Sequence, residues 1–294
     1  MMSKVIARIK GGLGNQLFCY AAARRLALAN NAELVIDDVT GFARDIYHRR
    51  YMLDRFSIPA RRAVPAERLE PFGRYRRGLA KLVNNKLPFH SRRYLEQEGA
   101  AFDRRILDFK VRGALYLDGY WQSEFYFKDA ADAIREDLRI IPPADEKNLI
   151  LAEEIEKSPA VAIHMRWFDE PGETEGHNLA VDYYRRAVSF METRLPSPHY
   201  FLFSDNPEAA RARLSLPADR STFISHNGGD ENAFADLWLM TKCRHFIIAN
   251  STFSWWGAWL PDGKGKIVIT PDVQIKGRTE WGFDGLIPAD WIKI

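Results

Sequence analysis

Two cysteines in 294 residues, Cys19 and Cys243, exclude both a disulfide framework and a four-thiolate zinc site. Each sits in a pattern that otherwise reads helical, so buried free thiols are expected. Long apolar runs are missing as well. The densest cluster, Trp255 to Leu260, is far shorter than the roughly 18 residues a membrane-spanning helix needs. The chain opens MMSKVIARIK, with no long apolar stretch before Gly11-Gly12, so no signal peptide and a cytoplasmic location are expected. None of the 21 aspartates is arranged as D-x-D, the close carboxylate pair that usually clamps Mg²⁺ or Mn²⁺ on a nucleotide diphosphate. Glycine and proline total 34 without a repeat, which excludes collagen-like and linker-dominated chains.

What is present is a globular composition: 46% hydrophobic, 28% charged and 13% aromatic residues. The length predicts two domains. Net charge is only +3, but it is unevenly spread. Residues 44–112 carry 18 Lys/Arg against 8 Asp/Glu, a net of +10, whereas 113–294 carry 19 against 28, a net of −9. The basic stretch reads IYHRRY, IPARRAV, FGRYRRGL and HSRRYL. It is either a solvated Arg-rich helical face or a patch turned to an anionic partner: a membrane surface, a phosphate-bearing substrate or nucleic acid. Nucleic acid is disfavoured, since no binding motif accompanies the charge.

The elements alternate. VIARI (5–9) is a predicted strand, GGLGNQ (11–16) a glycine turn, 17–30 a helix apolar all round, and ELVID (33–37) the next strand. LYLDGYWQ (115–122) is a further strand, followed by a helix to about Leu138. Ile140-Ile141-Pro142-Pro143 reads as a linker. Beyond it come a helix at 145–157 and strands at 159–167, 200–206, 221–226, 245–250 and 266–271, the last of these KIVITP. Helices are expected at 181–195, from Pro207 and at 231–243. Such βα alternation favours parallel sheets covered on both faces. Two Rossmann-like domains are expected, 1–141 and 142–294.

In open parallel sheets, ligands bind beyond the carboxyl ends of the strands. Four strand ends are polar or glycine-rich. The first, Gly11-Gly12-Leu13-Gly14-Asn15-Gln16, has Leu17 where a dinucleotide fingerprint has its third glycine, and lacks the Lys-Ser/Thr of a phosphate loop. Gly11, Gly12 and Gly14 still allow close backbone approach to a ligand; a tight turn without a ligand is the alternative. The second, His164-Met165-Arg166-Trp167-Phe168-Asp169, sets a guanidinium at the sheet edge, suited either to phosphate or to an ion pair with Asp169 or another acid. The third, Ser204-Asp205-Asn206, also reads as an ordinary helix cap before Pro207. In the fourth, Asn250-Ser251-Thr252-Phe253-Ser254, hydroxyls and N–H groups open a helix, an anion-binding arrangement.

GGLGNQLF-YA, LYLDGYWQSE-YF, the H-x-R start, FSDN and above all IIANSTFSWWGAWL resemble glycosyltransferase family 11, the α-1,2-fucosyltransferases, over roughly residues 4–270 and in the same order. The resemblance implies a GT-B fold of two Rossmann-like domains facing across a cleft. It also implies GDP-fucose as donor substrate, inversion at the fucose anomeric carbon, a hydroxyl of an acceptor glycan (galactose O2) as target, and no metal or other cofactor. One departure stands out: the family pattern H-x-R-R-x-D-Y reads HMRWFDE here, with Trp167 for the second Arg and Glu170 for the Tyr.

On this reading Arg166 binds the pyrophosphate, Ser251, Thr252, Phe253 and Ser254 offer backbone and hydroxyl groups to the β-phosphate, and Asn250 also binds the donor. His164 and the Ser204-Asp205 pair serve the donor. Asp236 offers a carboxylate to the two N–H donors of guanine, or is simply an exposed helix acid. Asn15 and Gln16 reach the sugar or acceptor from the other lobe. Asp169 is the first candidate for catalytic base, followed by Glu173 and Glu175. A saccharide on a lipid diphosphate is a plausible acceptor, met through peripheral contact of 44–112 with anionic inner membrane. Another GDP-6-deoxysugar, another linkage, or a non-catalytic nucleotide or glycan binder are the alternatives.

Overall fold

A computed structural model describes residues 2–167, 178–276 and 280–294. The chain forms two compact units. The first comprises residues 1–139 with 284–286, and the second 140–283 with 287–294. The short return of Asp284–Leu286 to the first unit breaks the simple division at 141/142.

The first unit holds a five-stranded, all-parallel sheet of β1 (Lys4–Arg8), β2 (Glu33–Asp37), β3 (Arg61–Arg62), β4 (Tyr94–Glu96) and β5 (Ala114–Asp118), in the order β3-β2-β1-β5-β4. Its central strand is apolar and buried between Lys4 and Arg8, as a strand covered on both faces requires. Val5 and Ile6 are fully or almost fully buried. Helix α1 (Leu13–Ala29) returns from β1 to β2 with 12 of its 17 residues buried, including Phe18, Tyr20 and the run Ala21-Ala22-Ala23. The helix starts four residues earlier than its sequence suggests: Gly12 is the N-cap, and Gly14, Asn15 and Gln16 are first-turn residues rather than a loop. The turn is therefore only Gly11-Gly12. Gly11 adopts φ +76°, and a Cβ there would stand 3.0 Å from the Asn15 side chain. Helix α2 (Gly73–Asn85) lies against β4, and α3 (Ala131–Asp137) ends the unit.

The second unit holds β6 (Ala160–Met165), β7 (His199–Ser204), β8 (Ser221–Ile224), β9 (His245–Ile247), β10 (Val268–Thr270) and β11 (Ile292–Lys293), again all parallel, in the order β11-β10-β9-β6-β7-β8. KIVITP is thus followed by a further, two-residue strand. Between the strands run α4 (Glu146–Lys157), α5 (Val181–Arg194), α6 (Pro207–Arg213), α7 (Ala233–Met240) and α8 (Thr252–Trp259). Asp145 caps α4 through the Asn148 N–H, and Asn206 caps α6 through the Ala209 N–H, with Pro207 at the first helical position. Strands β6 and β7 are buried almost throughout, so they read as continuous apolar runs. Trp255 and Trp256 of α8 are completely buried. Both cysteines are buried and free. Among the described residues, no helix is long and apolar enough to cross a membrane.

Candidate donor site at the second sheet's switch point

From β6 the second sheet grows by β7 and β8 on one side and by β9, β10 and β11 on the other. This is the strand order of dinucleotide-binding doubly wound sheets. The chain reverses direction of growth between β6 and β9, and there the carboxyl ends leave a crevice. Ile163 of β6 pairs in register with Ile247 of β9. One residue on in β6 is His164, and beyond the strand is Arg166. Past β9 the chain runs through Asn250 and Ser251 into α8. Two of the four polar strand ends therefore meet at one point, and the ring of His164 lies 5.3 Å from that of Phe253.

His164 is buried, and among the described residues its Nδ1 has no hydrogen-bond partner. Burial, helped by the nearby Arg166 charge, lowers its pKa to about 3. The ring is neutral across the working pH range, so it offers one hydrogen bond to a ligand rather than a charge. Arg166, about a third exposed, forms an ion pair through Nη1 with Asp205 Oδ2 at 2.6 Å. The other oxygen, Asp205 Oδ1, accepts from the Trp167 backbone N–H at 3.0 Å. Asp205 therefore orients the end of β6 from the end of β7. Trp167, in place of a second Arg, is packed in the core: its Nε1 donates to the Asn206 carbonyl at 3.3 Å, and Arg213 lies over its ring.

Ser251 takes the N-cap position of α8, but its hydroxyl does not cap the helix. The first-turn N–H groups are thus not engaged by that side chain, and they point, with the positive end of the helix dipole, out of the N-terminus. Ser254 Oγ donates to the Ser251 carbonyl at 3.2 Å, which removes its hydroxyl proton from direct service to a ligand. Asn250 is buried at the turn. Tyr183 of α5 locks the strand ends below, donating to the Ile248 carbonyl at 2.6 Å. Ser204, at the end of β7, accepts from the Asn206 N–H and shapes the turn into α6.

Asp236, in the first turn of α7, is not an exposed acid. Its Oδ1 accepts from Asn227 Nδ2 at 2.8 Å, within a polar network that takes in Asn148, His226 and the cap Asp145. Burial outweighs this bond and raises the carboxyl to about 7. Asp169, Glu173 and Glu175 lie outside the described residues.

In the first unit the residues expected to serve the sugar divide. Gln16 is fully buried, and its amide is consumed locally. Nε2 donates to the Gly11 and Arg50 carbonyls at 2.9 and 2.8 Å, and Oε1 accepts from the Met52 N–H at 2.9 Å. It is a tie between the glycine turn and the 50–52 segment, not a ligand group. Asn15 accepts from Gln122 at 2.7 Å and is partly exposed. The sequence reading overlooked a charged cluster at this sheet's own switch point, between β1 and β5. Asp118, 2% exposed, accepts from Lys10 at 2.8 Å, from Arg8 and from the Tyr94 hydroxyl at 2.8 Å. Burial opposes its ionisation, but Lys10 and Arg8 hold it well below the usual carboxylate range. The signal was present in Arg8 and Lys10, two cations at the end of an otherwise apolar strand.

Two all-parallel sheets, each with polar groups at its switch point, define a two-unit α/β protein of the GT-B type. The chain belongs to glycosyl transferase family 11, whose sequence model matches residues 4–292. It is 29% identical to an alpha-1,2-colitosyltransferase of Escherichia coli, covering 100% of this chain and 99% of that one. It is also 29% identical to the O-antigen biosynthesis glycosyltransferase WbnK of Escherichia coli, covering 97% and 99%. Among solved structures, the fold is similar to Arabidopsis thaliana FUT1 in complex with GDP (TM-score 0.56, 14% identity, 95% of this chain and 72% of that chain). It is also similar to the fucosyltransferase NodZ from Bradyrhizobium (TM-score 0.51, 15% identity, 89% and 93%).

Proposed function

We propose that this glycosyltransferase moves a 6-deoxy-L-sugar, L-fucose in the first instance, from its GDP conjugate to galactose O2 of an acceptor glycan, with inversion and without a metal. The observation that carries this reading is the convergence, at one switch point, of Arg166 braced by Asp205, the neutral buried His164 with its open Nδ1, and the α8 N-terminus. With no D-x-D in the chain, the leaving diphosphate is stabilised by the Arg166 fork and by the Ser251–Ser254 backbone dipoles. Thr252 and Phe253 belong to the same first turn and offer N–H groups rather than side-chain chemistry. His164 donates to a phosphate or sugar oxygen. Asp236, when ionised, accepts from guanine. Asn15 serves the sugar from the first unit, and Asp169 remains the proposed base.

A colitosyl donor is the second reading. It is favoured by the relative of that activity and by Trp167 in the H-x-R segment. The acceptor proposed is a saccharide on a lipid diphosphate, in keeping with a relative named for O-antigen biosynthesis, with residues 44–112 making peripheral contact with anionic membrane. The test is GDP release from GDP-fucose and GDP-colitose against a panel of β-galactosides, with the linkage of the product determined by NMR. Donor binding without GDP release for every acceptor would leave a binding protein and overturn the reading.

A further inference from the structure

Helix α2 is built inside out. Its apolar residues Tyr75, Leu79, Leu82 and Val83, together with Phe72 at the N-cap, are between 51% and 76% exposed. At 100° per residue they span one stripe about 100° wide. The side turned to the protein is polar. Lys81 pairs with Glu96 and Asp118, Arg77 donates to the Arg68 carbonyl at 3.1 Å, and the buried Asn84 accepts from the N–H groups of Arg93 and Tyr94. A helix stabilised by tertiary packing ordinarily buries the opposite face. Beside the apolar stripe runs a groove of about 360 Å³, lined in part by Leu79, Val83, Tyr94 and Tyr116.

We propose that α2 lies in the plane of an anionic lipid bilayer, with its Phe72–Tyr75–Leu79–Leu82–Val83 stripe sunk among the acyl chains and its exposed Arg74 and Arg76 at the headgroups. Charge selects this occupant. Residues 73–85 contain no acid and carry two exposed cations, Arg74 and Arg76, besides the inward Arg77 and Lys81, within a stretch of net +10. A second copy docking through the same stripe in a two-fold interface would set these like charges against each other. An anionic bilayer answers both the exposed apolar area and the charge, the combination typical of in-plane helices. The proposal rests on the peripheral contact offered above for 44–112 and adds to it an inserted, salt-resistant component. It does not depend on the transferase reading, because GDP binding is measured separately.

The full chain with Leu79→Cys carries an environment-sensitive fluorophore, NBD, selectively, because Cys19 and Cys243 are buried. Glu153→Cys, exposed on the second unit, is the control. With vesicles containing a third phosphatidylserine, NBD emission at 79 should rise and shift to the blue while that at 153 stays unchanged. Sedimentation with the vesicles should retain a bound fraction at 0.5 M salt. Leu79→Glu/Leu82→Glu should lower vesicle affinity about tenfold or more, with melting temperature and GDP binding preserved. Loss of all binding at 0.5 M salt without an NBD change would overturn insertion, as would equal binding to neutral vesicles. A dimer in light scattering that Leu79→Glu/Leu82→Glu dissociates would also overturn it, by assigning the stripe to a second copy.

Discussion

Lowering the pH from 8 to 6 should weaken GDP binding about tenfold, and Asp236→Asn should abolish that dependence. The carboxyl of Asp236 is raised to about 7 because burial penalises its charge more than the Asn227 bond favours it. Guanine presents N–H donors, so the ionised form is the one that binds. The apparent Kd then grows by the factor 1 + 10^(7−pH), roughly 11 at pH 6, 2 at pH 7 and 1.1 at pH 8. The same proton is linked to folding. A carboxyl whose folded value exceeds its unfolded one stabilises the fold fully below the unfolded value of about 3.9, and that contribution is lost as pH rises through about 7. Asp236→Asn keeps an acceptor for Asn227 and flattens both curves. Calorimetric titration with GDP at pH 6, 7 and 8 in two buffers of different ionisation enthalpy measures both affinity and protons released. The ionisation of the GDP phosphates is common to wild type and variant and cancels. Parallel pH slopes for the two proteins would refute the assignment of Asp236 to guanine.

Arg166→Ala should lower kcat/KM about 10²–10³-fold, and Arg166→Lys should restore little, because a point charge does not reproduce the fork. Asp205→Asn should cost less, and the double variant should be no worse than Arg166→Ala alone, since Asp205 acts by orienting that side chain; additive losses in steady-state kinetics would contradict this. Activity should survive EDTA, and loss on chelation restored by Mn²⁺ or Mg²⁺ would overturn the metal-free mechanism. Gln16→Ala should lower the melting temperature, as each partner stranded at Gly11, Arg50 and Met52 costs about 1–3 kcal/mol, while the KM for the donor should change less than about twofold.

The sequence displayed the second unit far better than the first. Strands β6 and β7 are buried on both faces, so their apolar runs are unbroken and their polar ends conspicuous. The same burial made His164, Arg166 and 250–254 stand out as one constellation. Between residues 44 and 112 no such signal exists. Strand β3 is the pair Arg61–Arg62, and β4 is three residues, too short for any period to register. Gln16 was misplaced because a polar side chain at a glycine turn looks identical whether it faces a ligand or ties down a neighbouring segment. Only the three hydrogen bonds separate the two. Helix α2 was hidden for a related reason: its periodicity is strong, but its polarity is reversed, and a pattern of apolar and basic residues does not say which face is inward.

Trp167 shows how the site's chemistry follows from its packing. In the family pattern a second Arg stands at this position, but here the side chain belongs to the second unit's core, and its backbone N–H takes one oxygen of Asp205 while Arg166 takes the other. One carboxylate thus fixes both the course of the chain beyond β6 and the direction of its guanidinium. In the proposed site the charge this strand end offers a diphosphate is that of a single Arg, oriented by Asp205. In the proposed mechanism the remaining stabilisation comes, among the described residues, from groups that carry no formal charge: the neutral His164 ring and the N–H groups of the α8 first turn. Preoriented dipoles of this kind need no reorganisation as negative charge develops on the leaving group. The burial that depresses the pKa of His164 is part of the proposed mechanism, because a second full positive charge beside Arg166 would cost more to bury than one hydrogen bond to the diphosphate returns.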